Sequence, residues 1–130
     1  MTKTPKEHGI SIAVKRNKKR LFIEIGLHGK LTHEDYAVFV PIVDKALKEA
    51  KGLEADLLVD MREFTGWEML AAWDDLKFGL KHRNDFRKMA IMGEKKWEEV
   101  SLQMMSHLMK GKVKHFKKRV KALAWILKNK

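Results

Sequence analysis

Two short apolar runs, at residues 57–59 and 89–92, stand on either side of a segment that is long enough for a helix, Glu68 to Asn84. Each run has the length and the composition of a buried strand. A helix between two such strands is typical of a parallel βαβ unit. Ligands of open α/β sheets bind beyond the carboxyl ends of the strands. We therefore expect a site at the polar stretch 60–67, which should be a short loop leading into the helix.

The remaining segments extend this pattern in both directions. Apolar residues alternate with others at 10–15, and a second strand pattern follows at 21–27, which predicts a hairpin with a basic turn. A helix should run from 33 to about 50, with Thr32 as its N-cap, and Pro41 should kink or break it. The segments that complete the chain are a strand at 86–92, a helix at 94–109, a weak strand at 113–116 and a helix at 117–128.

The order of these segments is β-β-α-β-α-β-α-β-α, which predicts an α/β domain. Its sheet should be mixed and mostly parallel, with five strands and four covering helices. At 130 residues the chain is long enough for one domain, which we place at residues 9 to 130 after a polar, flexible tail at residues 1 to 8.

Composition excludes several classes of protein. Cysteine is absent, so the fold contains no disulfides and uses no thiol catalysis. No apolar run approaches the roughly 20 residues of a membrane-spanning helix. The N-terminus lacks the apolar core of a signal peptide. We therefore expect a cytoplasmic protein.

Helical spacing also predicts which side chains face the core. In the second helix the inward stripe is Met69, Ala72, Trp73, Leu76 and Leu80. In the last helix it is Val120, Leu123, Ala124 and Leu127. If Trp73 is buried in this way, Trp73→Ala should cost about 3–5 kcal/mol of stability.

Four segments carry a resemblance to a known family: 29–36, 57–61, 64–67 and 73–82. Together with the order of elements, they make the chain similar to the SpoIIAA-like family of small bacterial proteins, over roughly residues 10 to 128. These proteins resemble STAS domains and are often grouped with the lipid-binding CRAL-TRIO fold. The resemblance implies a STAS-like fold.

The same resemblance raises the question of phosphorylation. STAS domains that act as anti-sigma-factor antagonists carry an Asp-Ser-Ser/Thr-Gly motif, whose serine a kinase phosphorylates. Here only Thr65-Gly66 corresponds to that motif. A phospho-regulated protein-interaction domain, with Thr65 as the modified residue, is therefore one alternative function.

Catalytic patterns are weak. Asp60 closes a strand, where a role in binding loop amides is the simpler interpretation. Asp74 and Asp75 are consecutive on a helix, so they point about 100° apart and cannot converge on one substrate atom. The six histidines have no metal-binding spacing, and the glycines form no phosphate-binding loop. We expect no enzyme, no metal and no cofactor.

Aromatic residues point instead to a binding module. Phe64 and Trp67 should lie in the loop and at the helix start, where they could wall an apolar pocket with Tyr36 and Phe39, or form a satellite core. We expect a small apolar or amphipathic ligand, or a partner protein. The candidate ligand-binding residues are Tyr36, Phe39, Asp60, Phe64, Thr65, Trp67, Asp74 and Phe78.

The predicted helix 94–109 carries more apolar residues than one buried face requires. Leu102, Met105 and Met109 lie outside its main stripe, and methionine is frequent at adaptable contact surfaces. They could form an interface, including one between two copies of the chain. We expect them to join Phe64 and Trp67 in one apolar patch.

Charge allows a further alternative. The formal net charge is +11, with basic runs at residues 15–20 and 110–130, and the second run contains no acidic residue. Such runs are typical of solvated surfaces and also attract phosphates or anionic lipids. A weak membrane contact through Lys110–Lys130, as in a membrane-surface protein or lipid carrier, is the alternative that this allows. Nucleic-acid binding is disfavoured because aromatics are not interleaved with the basic residues.

Overall fold

A computed structural model describes residues 8–16, 19–93 and 109–128 of the chain. Five strands and three helices lie in these ranges. Their bounds are β1 Gly9–Arg16, β2 Arg20–Leu31, α1 His33–Glu49, β3 Glu54–Trp67, α2 Met69–Lys81, β4 Phe86–Met92, β5 Lys112–Phe116 and α3 Arg119–Leu127. The helix predicted at 94–109 falls, apart from Met109, outside the described residues.

The five strands form one mixed sheet in the order β1-β2-β3-β4-β5. The β1–β2 hairpin is antiparallel, with Ile12 opposite Ile25. The other three neighbouring pairs are parallel, because a helical or long connection returns the chain to the same end of the sheet before each new strand. The predicted α/β fold with a mixed five-stranded sheet is confirmed.

Strand β3 is longer than the sequence pattern predicts. It continues through residues 60–67, and its last residues pair with β2 at Lys30↔Gly66 and Leu31↔Trp67. The expected loop is therefore wrong. Strand β2 is 12 residues long and extends beyond residue 60 of its neighbour. Its backbone N–H and C=O groups there form hydrogen bonds with residues 60–67, which a loop would leave without backbone partners. Two register irregularities accommodate the extension, between Gly26 and His28 and between Gly29 and Lys30.

Helix α1 begins with a complete capping box. The Thr32 side chain accepts from the Asp35 amide, and the Asp35 carboxylate accepts from the Thr32 amide over 2.8 Å. The helix then runs unbroken to Glu49 with Pro41 inside it.

Helices α1 and α2 cover one face of the sheet, and α3 covers part of the other. Successive residues of β3 show the division, because Leu57 belongs to the core under α1 and α2 whereas Leu58 packs toward α3. The smaller core under α3 consists of Leu58, Ala90, Met92, Ala122 and Ile126.

The predictions of which faces of α2 and α3 are buried are wrong. Trp73 is 57% exposed, and Met69 and Leu80 are exposed beside it. The inward side of α2 instead carries Ala71, Asp74 and Gly79. In α3 the buried residues are Ala122 and Ile126, whereas Val120 and Leu127 face outward. In α2 the apolar spacing predicts the wrong face because polar side chains that have hydrogen-bond partners point toward the protein. In α3 it predicts the wrong face because apolar residues lie on two sides of the helix.

Candidate functional site

A cavity of about 70 Å³ lies between the sheet and the helix pair α1–α2. Apolar side chains from four strands and both helices form most of its wall. The helices meet beside it, where the rings of Phe39 and Phe78 are 5.2 Å apart between centres. The lining residues are Ile10, Ile25, Leu27, Tyr36, Phe39, Leu57, Val59, Met61, Trp67, Asp75, Phe78, Gly79, His82, Phe86, Met89, Ile91 and Met109.

A chain of hydrogen bonds ends in this apolar wall. The indole N–H of Trp67 donates to the Tyr36 hydroxyl oxygen over 2.9 Å. The Tyr36 hydroxyl in turn donates to Oδ1 of Asp75 over 2.8 Å. Three elements are involved, because Trp67 ends β3, Tyr36 lies in the first turns of α1 and Asp75 lies in α2. The chain therefore fixes one carboxyl group at the cavity.

Burial governs the acidity of this carboxyl group. Desolvation raises the pKa of Asp75 above its ordinary value, and the Tyr36 hydrogen bond opposes that shift only in part. Desolvation also raises the pKa of Tyr36 far above its ordinary value, and the charge of Asp75 adds to the effect. The phenol therefore remains a donor, and Asp75 is held closer to its neutral form than a surface aspartate.

His82 lies at another part of the cavity wall, at the C-terminal end of α2. Its Nε2 is 2.6 Å from Asp44 Oδ1, and its Nδ1 is 2.6 Å from Asp85 Oδ2. Each ring nitrogen thus lies within hydrogen-bond distance of a different carboxyl group. Burial opposes ionisation of Asp44, but hydrogen bonds from Lys81 and His82 outweigh it and lower the pKa of Asp44. The cluster ties α2 to α1.

The structure brings together half of the candidate ligand-binding residues. Tyr36, Phe39, Trp67 and Phe78 all line the cavity. Phe64 does not line it, but it is buried and packs edge-on against Trp67 with ring centres 4.6 Å apart.

The other candidates lie elsewhere. Asp60 accepts from the Arg62 guanidinium over 2.7 Å, and this partner lowers the pKa of Asp60. Thr65 is exposed within β3. Oδ2 of Asp74 is 2.6 Å from Nδ1 of His33, and Oδ1 is 3.7 Å from the Lys77 ammonium group. Asp74 is buried but does not line the cavity.

The expected apolar patch is also corrected. Phe64 is buried and Trp67 is half-buried, so neither contributes an exposed surface of the expected kind. Met109 is buried and lines the cavity. Leu102 and Met105 fall outside the described residues.

The sequence reasoning missed Asp75, His82 and the two methionines Met61 and Met89. One signal for the first pair was present. Asp75, Phe78, Gly79 and His82 follow the i, i+3, i+4, i+7 spacing of a single helix face. In the parts of the chain that the structure describes, no group of His, Asp and Glu side chains could hold a metal ion.

Comparison with known proteins agrees with this architecture. The SpoIIAA-like family matches residues 22–127. A solved structure of an uncharacterized protein from the DUF3478 family, with a SpoIIAA-like fold, from Shewanella loihica PV-4 is similar to the chain at a TM-score of 0.80 and 35% identity. The alignment covers 95% of this chain and 98% of that one. No curated protein matches. The resemblance seen in the sequence is confirmed, and the chain belongs to the SpoIIAA-like family.

Proposed function

We propose that this chain is a non-enzymatic binding module that holds one small, largely apolar molecule in the cavity under α1 and α2. A single polar group of that molecule would bond to Asp75. The observation that carries the proposal is the hydrogen-bond chain from Trp67 through Tyr36 to Asp75, which ends in an otherwise apolar wall.

Stability alone does not account for a carboxyl group at this place. Among the described residues, the one hydrogen bond to the Asp75 carboxyl group comes from Tyr36. Burying a carboxyl group is costly unless its oxygens are well satisfied, and an apolar residue of similar volume would pack at lower cost. Residues that reduce stability in this way are typical of binding sites.

The size of the cavity limits the ligand. An engineered cavity of about 150 Å³ takes up benzene, and this one is about half as large. It therefore suits a short branched or cyclic group rather than a whole acyl chain. Met61, Met89 and Met109 in its wall are adaptable side chains, which allow the cavity to reshape around a bound molecule.

Chemistry at the cavity favours binding over catalysis. Among the described residues of its wall, Asp75 carries the one carboxyl group, and the imidazole of His82 is engaged by Asp44 and Asp85. Asp74 does not line the cavity and is engaged by His33 and Lys77. General acid–base hydrolysis usually needs two groups placed about one substrate bond. A ligand hydroxyl or amine could instead donate to Asp75 and keep its apolar part against the methionines.

The test is a titration of the full chain with short molecules that differ in one group. Isobutanol, isobutylamine and isobutyrate share one apolar skeleton, and heteronuclear NMR would follow the Trp67 indole N–H signal. We expect saturable shifts with the alcohol or the amine and weaker shifts with the acid. Native mass spectrometry of protein purified from cells would show whether a small molecule is retained.

Asp75→Asn and Asp74→Asn form a matched pair of variants for this titration. Each replaces one carboxylate by an amide on the same helix. We expect Asp75→Asn to remove the preference for alcohol or amine over acid, and Asp74→Asn to leave it intact. Equal responses from both variants, or no saturable shift with any of the three molecules, would contradict the proposal.

A further inference from the structure

The outer surface of α3 carries an apolar stripe within a basic surround. Val120 and Leu127 are 77% and 75% exposed, and Ala124 is exposed between them, with Leu123 half-buried alongside. At 100° per residue these four side chains fall within about 100° of the helix circumference. The opposite side of α3, with Ala122 and Ile126, packs on the sheet. The helix is thus apolar both inward and outward.

Cations flank this stripe on its own helix. Arg119 and Lys121 lie on either side of it by helical position, and Lys117, Lys118 and Lys128 adjoin its ends. All five are exposed. No acidic residue occurs between Met109 and Lys128. Arg119 forms a two-pronged ion pair with Glu24 of β2, in which its Nε is 3.2 Å from Oε2, so the unpaired charge beside the stripe comes from the lysines.

The hairpin adds cations from the far end of the sequence. Lys15, Arg16 and Arg20 line a hollow together with Leu123 and Leu127 of α3. The two basic runs of the sequence, which are about a hundred residues apart, therefore meet around one apolar surface. The acidic member of that hollow, Asp56, is neutralised by Arg87, whose Nη2 is 2.9 Å from Oδ2.

We propose that α3 and the basic end of the hairpin form a docking face for the surface of an anionic lipid bilayer. This inference is independent of the cavity and of its ligand. Isolated exposed apolar residues are normal. Here a continuous stripe lies among cations with no acid on the helix, which is the pattern of helices that lie in the membrane interface. None of the helices in the described parts of the chain is long and apolar enough to cross a membrane.

The aliphatic centre of the face favours a bilayer over a nucleic acid. Phosphate backbones bind cations, and single strands stack on exposed aromatic rings. Neither contact uses Val120 or Leu127. In a bilayer the same side chains enter the headgroup boundary while the lysines remain at the anionic headgroups.

Vesicle co-sedimentation of the full chain tests the proposal. The probes are phosphatidylcholine vesicles with and without phosphatidylglycerol. We expect binding only to the anionic vesicles, and weaker binding as salt is added. Lys121→Gln should weaken partitioning about fivefold, the effect of removing one cation near an anionic surface. Lys45→Gln on α1 is the matched control and should change little.

The apolar contribution is tested by the double variant Val120→Ser with Leu127→Ser. Both positions are exposed, so folding should be retained, and circular dichroism would verify it. We expect about a tenfold loss of vesicle binding, since aliphatic burial is lost. Val38→Ser, at a position 68% exposed on α1, is the matched control.

Three results would overturn the proposal. The first is no binding to anionic vesicles. The second is vesicle binding that is the same for the wild type and the double serine variant, which would mean that the basic residues alone cause the binding. The third is binding to duplex DNA that is tighter than binding to vesicles and equally indifferent to the serine substitutions, which would indicate a nucleic-acid surface.

Discussion

The ammonium group of Lys88 donates to the backbone carbonyl of Trp125 over 2.7 Å and lies 5.1 Å from the centre of the same residue's ring. It also donates to the carbonyl of Lys128 over 2.9 Å. Arg87, its neighbour on β4, donates to the carbonyl of Ile126. Two consecutive cations of a strand thus donate to the carbonyl groups at the end of α3, of which that of Trp125 also accepts from the Lys128 amide. Lys88 is buried, and desolvation lowers the pKa of Lys88.

Lys88→Met should destabilise the fold by roughly 1–3 kcal/mol, because it removes the two hydrogen bonds that the buried ammonium group donates to carbonyl groups at the end of α3. Urea unfolding of the two proteins would measure the difference. Lys112→Met, at an exposed position on the neighbouring strand, is the control and should be close to neutral. If Lys88→Met unfolded at the same urea concentration as the wild type, water would replace the ammonium group without loss of stability.

Trp73→Ala should cost no more than about 0.5–1 kcal/mol, because more than half of the side chain is exposed. Phe39→Ala, at a buried position on α1, should cost about 3–5 kcal/mol. Thermal unfolding followed by circular dichroism would compare them. If Trp73→Ala were the more damaging of the two, the exposed orientation of α2 described above would be wrong.

Asp75→Asn should change how stability depends on pH. The folded-state pKa of Asp75 is raised, so the stability associated with this group is fully present below the unfolded value of about 3.9 and is lost as pH rises through the folded value. The amide oxygen of asparagine still accepts from Tyr36 and carries no charge. We therefore expect Asp75→Asn to match or exceed the wild type in stability at neutral pH.

The difference in unfolding free energy between Asp75→Asn and the wild type should become smaller as the pH is lowered. Urea titrations from about pH 4 to pH 8 would show it as a free-energy difference that grows with pH. A difference that stays constant, or grows toward acid, would mean that the carboxyl group is not desolvated.

Gly111→Ala should be strongly destabilising. A Cβ atom at this position would come within 2.2 Å of the Phe86 carbonyl oxygen and 2.7 Å of the Arg87 carbonyl oxygen. Both atoms belong to the backbone of β4, so relief requires a strand shift, at a cost of typically 1–3 kcal/mol or more. Gly9→Ala is the control, because an added Cβ there meets nothing within 4 Å. Comparable urea midpoints for the two variants would contradict the close approach of the chain at Gly111 to β4.

His82→Gln should weaken the junction of α1 and α2. Glutamine cannot contact Asp44 and Asp85 at once in the geometry that the imidazole provides, so at least one buried interaction is lost, at about 1–3 kcal/mol. Hydrogen exchange would locate the effect at the end of α2 and along α1. Arg83→Gln, at the exposed neighbouring position, is the control and should leave hydrogen exchange unchanged. If His82→Gln were as well protected from exchange as the wild type, the contacts of His82 would not stabilise the junction of the two helices.

Much of the fold follows from local pattern. The hairpin, the N-cap at Thr32 and the succession of strands and helices along the chain all arise from alternation, spacing and turn chemistry that a sequence displays directly. The bounds of β3 do not, because the apolar residues Met61, Phe64 and Trp67 recur every third position in 60–67 and break the alternation of a strand. This stretch becomes a strand through backbone pairing with β2. Tertiary pairing of this kind overrides local preference.

The cavity was accessible from the sequence only in part. Aromatic residues identified Tyr36, Phe39, Trp67 and Phe78, but their polar partner Asp75 was set aside as one of a pair pointing in different directions. Which of two adjacent aspartates reaches the cavity depends on the rotation of α2 against the sheet, and the exposed Trp73 shows that its apolar residues do not determine this rotation.

The sheet order carries a consequence for biosynthesis. Each strand after the first pairs with the strand that precedes it in the chain, so no strand must wait for a later one to be inserted between existing neighbours. A nascent chain leaves the ribosome in the same direction in which this sheet grows, and segments usually begin to fold during synthesis from the N-terminus. The architecture is thus suited to vectorial assembly, with β5 and α3 as the closing additions to a sheet that is already in register.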